Sequence, residues 1–567
     1  MKNILLSFFI LFAAMALKAQ PVKYVVKLKD KSGTPYSLSN PSAYLSSKAI
    51  ARRNRQHISI DSTDLPVSPA YVAALQSIAG VTILNTSRWF NEVFVRLSGA
   101  SVVTDIELLP FVISSQPMSG PGKPKVVNKK QLGEELRSKP ESYAKVIELD
   151  ATNTVVADSD FYGMNFPQVH IHEGEFLHNN GYRGEGMTIA MLDAGFYQYN
   201  INPALDSMRL AGQVIAEHDF VNGETSVAED DLHGANCLTI LAANRPGFIV
   251  GTAPKAGYLL FRTEEAATET PAEEQNWIVG AEMADSAGAD MISSSLGYVN
   301  FDNPAYNHTY AGRNGNTYEI TIAADMAAKK GMIVMNSAGN SGLAVDDTKF
   351  ISCPADGDSV MTVGSVDKDG LVTASSSWGP SSSGRTKPNI VSVGRNAVFA
   401  LPSGEPAVGS GTSYSNPNVA GLILCLWQAF PEFSNMEILK AVEQSSNRYE
   451  QPDNRYGYGI PNFRRAFGML VQKRILASGN RLSHEWLGAY PVPFKSQFNL
   501  LLKAPKTGPA GVRMVDISGK VISVKNLQVI KDNFYYIPMS TPKLKSGVYV
   551  VVYWDGANKR TLKIVRE

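Results

Sequence analysis

Gly411-Thr412-Ser413-Tyr414-Ser415-Asn416-Pro417-Asn418-Val419-Ala420-Gly421 is the stretch on which the reading of this chain turns. From Val419 the apolar positions are Val419, Leu422, Ile423, Leu426, Trp427 and Phe430, the spacing of one helix face, and Pro431 ends it. Pro417 is tolerated only near the helix start, where a missing N–H costs least. Ser413 therefore stands at the mouth of a buried helix, where N–H groups and the positive dipole end favour developing negative charge. Alone, a serine in that place is an N-cap. A chemical role requires a base and an acid elsewhere in the chain.

The chain has 567 residues, more than one core accommodates, so several domains are expected. It is 44% hydrophobic and 19% charged, with a formal net charge of +1, and nothing in that balance points to nucleic acid or an acidic membrane surface. Met1-Lys2-Asn3 and the apolar run Ile4 to Leu17, followed by Lys18-Ala19-Gln20, have the form of a secretory signal, with cleavage expected after Ala19. The run is short for a membrane span. The three cysteines, Cys237, Cys353 and Cys425, are too few for a disulfide framework, and buried small side chains are the default, with a Cys237–Cys353 bridge left open.

Residues 20–115 read as a small α+β unit: a strand over Val22–Leu28, a helix from Pro69 to Ile78, and an alternating strand from Phe90 to Leu97. Residues 116–160 turn polar, with Lys123, Lys125, Lys129 and Lys130 among prolines and glycines. They read as a linker open to proteolytic nicking. From Gly181 strands and helices alternate. Strands Met187–Leu192, Tyr258–Phe261, Met291–Ile292, Met332–Met335 and Val360–Val366 are short continuous apolar runs, with helices at His233, Asn276–Ala287 and Tyr318–Met326. Buried parallel strands with crossover helices predict an α/β doubly wound, mainly parallel sheet over residues 161–475. In such sheets ligands bind beyond the strand carboxyl ends. Asp193, Ser294 to Gly297 and Asn340 all follow those ends. From residue 487 to 567, alternating strands around Phe498–Leu502, Val512–Asp516, Val521–Val524 and Gly547–Tyr553, with Gly-containing turns, predict a small β-sandwich.

A serine hydroxyl needs a base, usually His, oriented by a carboxylate. Of the eight histidines, only His233 opens a helix beside glycine, in Asp231-Leu232-His233-Gly234, and Asp193 ends the preceding buried strand. At these residues the chain resembles the subtilisin-like serine proteases, the subtilase family, in the order Asp193, His233, Ser413. Met191-Leu192-Asp193-Ala194-Gly195, His233-Gly234 and Gly411-Thr412-Ser413-Tyr414-Ser415-Asn416-Pro417 resemble its three motifs, with Ala235 and Asn389 standing where Thr and Asp are common. The resemblance implies a subtilisin-like fold and hydrolysis of peptide bonds by an Asp-His-Ser triad. It implies Asn340 as oxyanion donor and Ser294, Ser295, Leu296, Gly297, Ala338 and Gly339 flanking the pocket for the residue before the scissile bond. A peptide could then add as a strand along the glycine-lined edge. By itself, Asn340 reads as a turn residue in a left-handed conformation beside glycine.

No cofactor is required by this chemistry and no metal ligand is assigned; structural calcium is left unplaced. His170-Ile171-His172 with His178 lacks a second ligand cluster and reads as solvated or helix-start histidines. Glu229-Asp230-Asp231 reads as solvated surface rather than a calcium site. An esterase of the α/β-hydrolase type fits poorly, since Ser415 breaks Gly-x-Ser-x-Gly and the only later histidine is His484. A non-catalytic binding protein on the same scaffold is the other alternative.

The N-terminal unit resembles the subtilase propeptide, which implies an intramolecular inhibitor and folding aid. The tail resembles the C-terminal sorting domain of the type IX secretion system, on Tyr490-Pro491-Val492-Pro493-Phe494, Val515-Asp516-Ile517-Ser518-Gly519-Lys520 and the terminal Lys563-Ile564-Val565-Arg566-Glu567. Together these imply a precursor exported through the periplasm to the surface or medium. Its implied partners are protein or peptide substrates, its own propeptide and the secretion machinery, with no nucleic acid and a monomeric state.

Overall fold

The computed structural model describes residues 22–118, 158–477, 487–531, 534–541 and 544–567. The expected signal peptide and most of the expected linker lie outside the described residues. No helix among the described residues is long and apolar enough to cross a membrane.

The chain divides into two compact units. The first begins with β1 (Val22–Leu28). The chain then leaves it: residues 38–62, carrying α1 (Ser47–Arg55), belong to the second unit. It returns as α2 (Pro69–Gln76), β2 (Val81–Ser87), β3 (Glu92–Leu97), α3 (Val103–Glu107) and β4 (Val112–Pro117). The antiparallel sheet has the order β2-β3-β1-β4, the split βαβ arrangement. Alternation along β1 and β3 puts Val26 and Leu28 with Val93, Val95 and Leu97 on one face, against Leu75 and Ile106 of the helices. The sequence reading found β1, α2 and β3. It passed over β2 and β4, whose residues are mostly half-buried and lack a clean alternation.

The second unit is built on a parallel sheet of seven strands. These are β5 (Thr188–Asp193), β6 (Val214–Asp219), β7 (Gly257–Arg262), β8 (Met291–Ser294), β9 (Ile333–Ser337), β10 (Val360–Val366) and β11 (Ile390–Val393). Spatial order is β11-β10-β9-β8-β5-β7-β6, every pairing parallel. The central strands are buried on both faces, which is why they read as continuous apolar runs. From β5 the chain first builds one side, β6 and β7, then crosses to build β8 onward. The topological switch point thus lies between β5 and β8, where a crevice opens beyond the carboxyl ends.

The crossover helices include α4 (His233–Ala242), α5 (Pro271–Ala287) and α6 (Glu319–Lys329). They are followed by α7 (Thr412–Ala429), α8 (Asn435–Ser445) and α9 (Phe463–Ala477). Helix α7 is buried from Thr412 to Trp427, its polar first two turns included. Gly421 lets it lie directly on the backbone at Thr252: an added Cβ would meet Thr252 Oγ1 at 2.2 Å and its carbonyl carbon at 2.8 Å.

The tail is a two-sheet sandwich. One sheet joins β12 (Leu487–Tyr490), β13 (Gln497–Lys503) and, later in the chain, Phe534–Ser540. The other joins Gly508–Asp516, Val521–Val529, Gly547–Trp554 and Lys559–Arg566. Phe498, Leu500, Leu502, Val512, Met514, Val551 and Ile564 fill the space between them. The sandwich is seated on α9, with Phe534 packed on Gly468 and Tyr536 edge-on to Phe467 at 5.4 Å.

Candidate active site

Asp193 is the last residue of β5, 1% exposed, and its carboxylate Oδ1 lies 2.7 Å from His233 Nδ1. The Ala194 N–H donates to the same oxygen at 2.8 Å. His233 is the first residue of α4, and its own N–H donates to Asp231 Oδ1 at 2.7 Å. Asp231, read as solvated charge, thus satisfies one of the open donors at the start of this helix. Its neighbour Asp230 pairs with Arg262 at 3.2 Å. The contact between strand and helix depends on Gly234. A Cβ there would lie 2.4 Å from the Gly195 carbonyl oxygen and 2.9 Å from Asp193 Cβ.

Ser413 is the second residue of α7. Its Oγ donates to the Ser295 carbonyl at 3.3 Å, and Ser295 Oγ donates to the Ser413 carbonyl at 2.9 Å. This reciprocal pair ties the helix start to the segment after β8. From the other side, Cys237 Sγ, one turn along α4 from His233, donates to the Ser413 carbonyl at 3.4 Å. One ligand-type atom each from Asp193, His233 and Cys237 lies within 4.8 Å of the others. The His233 and Tyr414 rings are 6.2 Å apart between centroids. Three segments widely separated in sequence thus meet at the switch point. Burial pushes the Cys237 thiol up, so it acts as a packed, weakly donating group.

Asn340 follows β9 through Ala338-Gly339. Its Oδ1 accepts from the Thr412 N–H at 2.8 Å and from Thr412 Oγ1 at 3.0 Å. With the oxygen fixed by two donors, the amide NH2 is the end that faces the cavity. Gly339, at φ 105°, takes the left-handed conformation, so Asn340 is not the turn residue that it resembled in isolation. Thr412 was not singled out from the sequence; its place between Gly411 and Ser413 was the available signal.

A cavity of about 250 Å³ opens here, lined by Ser295, Leu296, Gly297, Gly339, Asn340 and Ser413 among others. Val299, Phe350, Ser352 and Glu269 also line it and were not anticipated. Ser294 and Ala338, expected to flank the pocket, are buried behind its surface. Ser294 Oγ accepts from Trp277 Nε1 at 2.9 Å, and Ala338 packs with Ile351 and Ala355. Behind Glu269, Glu264 and Glu273 bring carboxylate oxygens within 4.8 Å of one another and of Glu269. Burial first, and neighbouring carboxylates second, raise Glu264 to about 8 and Glu273 to about 11.

The remaining sequence candidates are otherwise engaged. His172 Nδ1 and Nε2 meet the Pro461 carbonyl at 3.0 Å and Ser392 Oγ at 2.8 Å. His178 meets Tyr162 Oη at 2.6 Å and the Thr252 carbonyl at 3.0 Å. Both are core residues, correcting the reading of them as solvated or helix-start histidines, and burial holds each near 4. His170 pairs with Glu175 at 2.7 Å. All three cysteines are buried and free, so the bridge left open from sequence is not formed. Asn389 is built in, accepting from the Thr362 N–H at 3.0 Å and donating to Glu443 Oε1 at 2.8 Å.

Residues 184–459 match the profile of the Subtilase family, residues 23–132 that of the peptidase S8 propeptide domain of Bacteroidota, and residues 488–567 that of a secretion system C-terminal sorting domain. The chain is 27% identical over 310 residues to "Serine protease AprX" of Bacillus subtilis (strain 168), covering 49% of this chain and 65% of that protein. It is 30% identical over 280 residues to "Thermophilic serine proteinase" of Bacillus sp. (strain AK1), covering 49% and 60%. With "Subtilisin Savinase" of Lederbergia lenta it shares 27% identity over 286 residues, covering 50% and 92%. The sorting domain marks the chain for secretion to the medium or cell surface. The parallel sheet, the Asp193–His233 pair beside Ser413 and the run of matches agree: residues 184–459 of this chain are a subtilase domain.

Proposed function

We propose that this chain is a secreted serine endopeptidase, made as a precursor that its propeptide inhibits, with Ser413 as nucleophile, His233 as base and Asp193 as its orienting carboxylate. The observation that carries the reading is the buried Asp193 carboxylate bonded to His233 Nδ1 beside the Ser413 helix start. That bond fixes the tautomer with Nε2 free of its proton, the form able to accept from a hydroxyl. Ser413 Oγ now donates to the Ser295 carbonyl, and rotation about χ1 re-aims it.

In the reaction, Oγ adds to the peptide carbonyl carbon while its proton passes to His233. The resulting oxyanion is held by Asn340 Nδ2 and by the Ser413 N–H at the helix start. Collapse breaks the C–N bond, and His233 returns the proton to the departing amine. Water, deprotonated by the same imidazole, then cleaves the acyl ester and restores Ser413. Asp193 stabilises the imidazolium in both halves. Ser295, Leu296, Gly297 and Gly339 present the cavity for the residue before the scissile bond, with Ser294 and Ala338 as its backing.

Secretion by the type IX machinery through the tail, and maturation within residues 116–160, belong to the same proposal. Ser413→Ala tests its centre. The variant is expected to lose protein cleavage, self-processing and labelling by a fluorophosphonate; wild-type-like turnover would refute the assignment.

A further inference from the structure

Among the described residues that line the Ser413 cavity, Glu269 alone carries a carboxylate, and no lysine, arginine or histidine lines it. It does not come from the motifs that the sequence singled out. Ser294 to Gly297 and Ala338 to Asn340 contain no acidic residue, and Glu269 lies in the loop between β7 and α5. That loop is fastened to the segment after β8. The Glu269 N–H donates to Asp302 Oδ2 at 3.1 Å, and the Asp302 N–H donates to the Glu269 carbonyl at 2.9 Å. Tyr298, fully buried, donates its hydroxyl to Glu264 Oε1, and its backbone pairs in both directions with Cys353, at 2.9 and 3.2 Å. The wall that carries Glu269 is therefore held at both ends.

Two more carboxylates stand behind it. One oxygen each from Glu264, Glu269 and Glu273 lies within 4.8 Å of the others. Glu273 is 2% exposed. Its Oε2 accepts from the Thr270 N–H at 3.3 Å, at the start of α5, whereas its Oε1 has no partner among the described residues. Burial and then neighbouring carboxylates hold Glu264 and Glu273 above the ordinary carboxylate range. A cation brought beside them supplies both the missing bond and the missing charge. The other walls of the cavity, about 250 Å³ in volume, include apolar Leu296, Val299 and Phe350. A lysine or arginine side chain matches that combination, with its aliphatic stem on apolar walls and its charged head at a carboxylate. A bare metal ion leaves the apolar walls without a use. The linker expected to be cut carries side chains of this kind at Lys123, Lys125, Lys129 and Lys130.

We propose that Glu269, with Glu264 and Glu273 behind it, selects substrates that place lysine or arginine in this cavity, on the acyl side of the cleaved bond. The charged head meets Glu269, and the stem lies along Leu296, Val299 and Phe350. Glu269 governs the choice of substrate and takes no part in the proton transfers between Ser413 and His233. The inference rests on the reading of the Ser413 cavity as the substrate pocket of a peptidase.

The test uses the secreted protein. Mass spectrometry of the fragments it releases from a denatured protein mixture reads the residues around each cleaved bond, and lysine and arginine are expected to be enriched at one position on the acyl side. Paired peptides that differ only there, arginine against norleucine, then give a ratio of kcat/KM. Glu269→Gln is expected to lower that ratio by about ten- to hundredfold, the worth of one hydrogen bond to a charged group, whereas Glu269→Asp is expected to keep most of it. No enrichment of basic residues would overturn the proposal, and this profile of the unsubstituted protein decides even if Glu269→Gln fails to fold. A ratio unmoved by Glu269→Gln, in a variant whose thermal melt matches the wild type, would overturn it too. So would a preference that needs added calcium and disappears on chelation, since the carboxylates then serve a metal ion. Fluorophosphonate labelling of the same preparation separates this proposal from the reading beneath it. A protein that neither labels at Ser413 nor cleaves strikes both, whereas a labelled, active enzyme indifferent to basic residues strikes the role of Glu269 alone.

Discussion

Asp193→Asn isolates the charge of the carboxylate from its geometry. The Ala194 N–H and His233 Nδ1 both converge on Oδ1 of this side chain. An asparagine that keeps its oxygen there preserves both hydrogen bonds, the imidazole tautomer and the packing of Gly234. What disappears is the negative charge facing the imidazolium of the transition state. With charge centres about 4 Å apart and an effective dielectric near 20, that attraction is worth about 4 kcal/mol, or roughly a thousandfold in kcat. Should the amide turn and offer Nδ2 to the ring instead, the tautomer is lost and the fall approaches ~10⁴. KM is expected to stay within a few-fold, since Asp193 is buried behind His233 and lines no part of the cavity. The assay is steady-state cleavage of a chromogenic peptide by enzyme whose linker has been cut with an added protease, with far-UV circular dichroism as the folding control. A variant within tenfold of wild-type kcat would refute the role of this carboxylate and the reasoning above.

Two further outcomes follow from the same structure. Asn340→Ala removes the donor that Thr412 aims at the cavity and is expected to lower kcat by ~10²–10³ with little change in KM; kinetics on the same peptide check it, and a loss confined to KM would contradict the oxyanion role. Burial holds His172 and His178 near 4, below their ordinary 6.5, so between those values the unfolded chain binds protons that the native state refuses. Stability is therefore full above about pH 6.5 and falls as pH drops toward 4, by about 2 kcal/mol per histidine at pH 5. Urea unfolding of the Ser413→Ala chain at pH 7 and 5 measures this, and His172→Gln should remove its share of the pH dependence.

The parts of the fold legible in the sequence are those whose pattern is enforced locally. Thr188–Asp193 and Val360–Val366 are buried on both faces, and the continuous apolar run follows from that burial. Val214–Asp219 escaped notice because it is the sheet edge, half-exposed, and its residues Val-Ile-Ala-Glu-His-Asp carry no run. Ile390–Val393 is four residues long and follows Pro388, too short for periodicity to speak. In the tail, Lys559–Arg566 carries charge along its length and was invisible for the same reason. The arginines of α1 show the opposite failure. Their burial is created by Asp285 and by helix ends far along the chain, and no local pattern distinguishes them from solvated surface.

At the site, the motif residues were legible because each short motif contains both a chemical group and the device that places it. Gly234 beside His233 is the missing Cβ that admits Asp193; Thr412 beside Ser413 is the clamp that turns Asn340 toward the cavity. A motif match thus reports a packing requirement along with a chemistry. The two devices act on separate halves of the site. Asp193 and His233 are joined by β5 and α4, whereas Ser413 and Asn340 are joined by α7 and the loop after β9. Ser295 Oγ and Cys237 Sγ, both donating to the Ser413 carbonyl, bind the nucleophile's backbone to the segment after β8 and to α4. The alignment of hydroxyl to imidazole is therefore set by backbone contacts at Ser413, while the side chain stays free to turn from the Ser295 carbonyl when substrate enters.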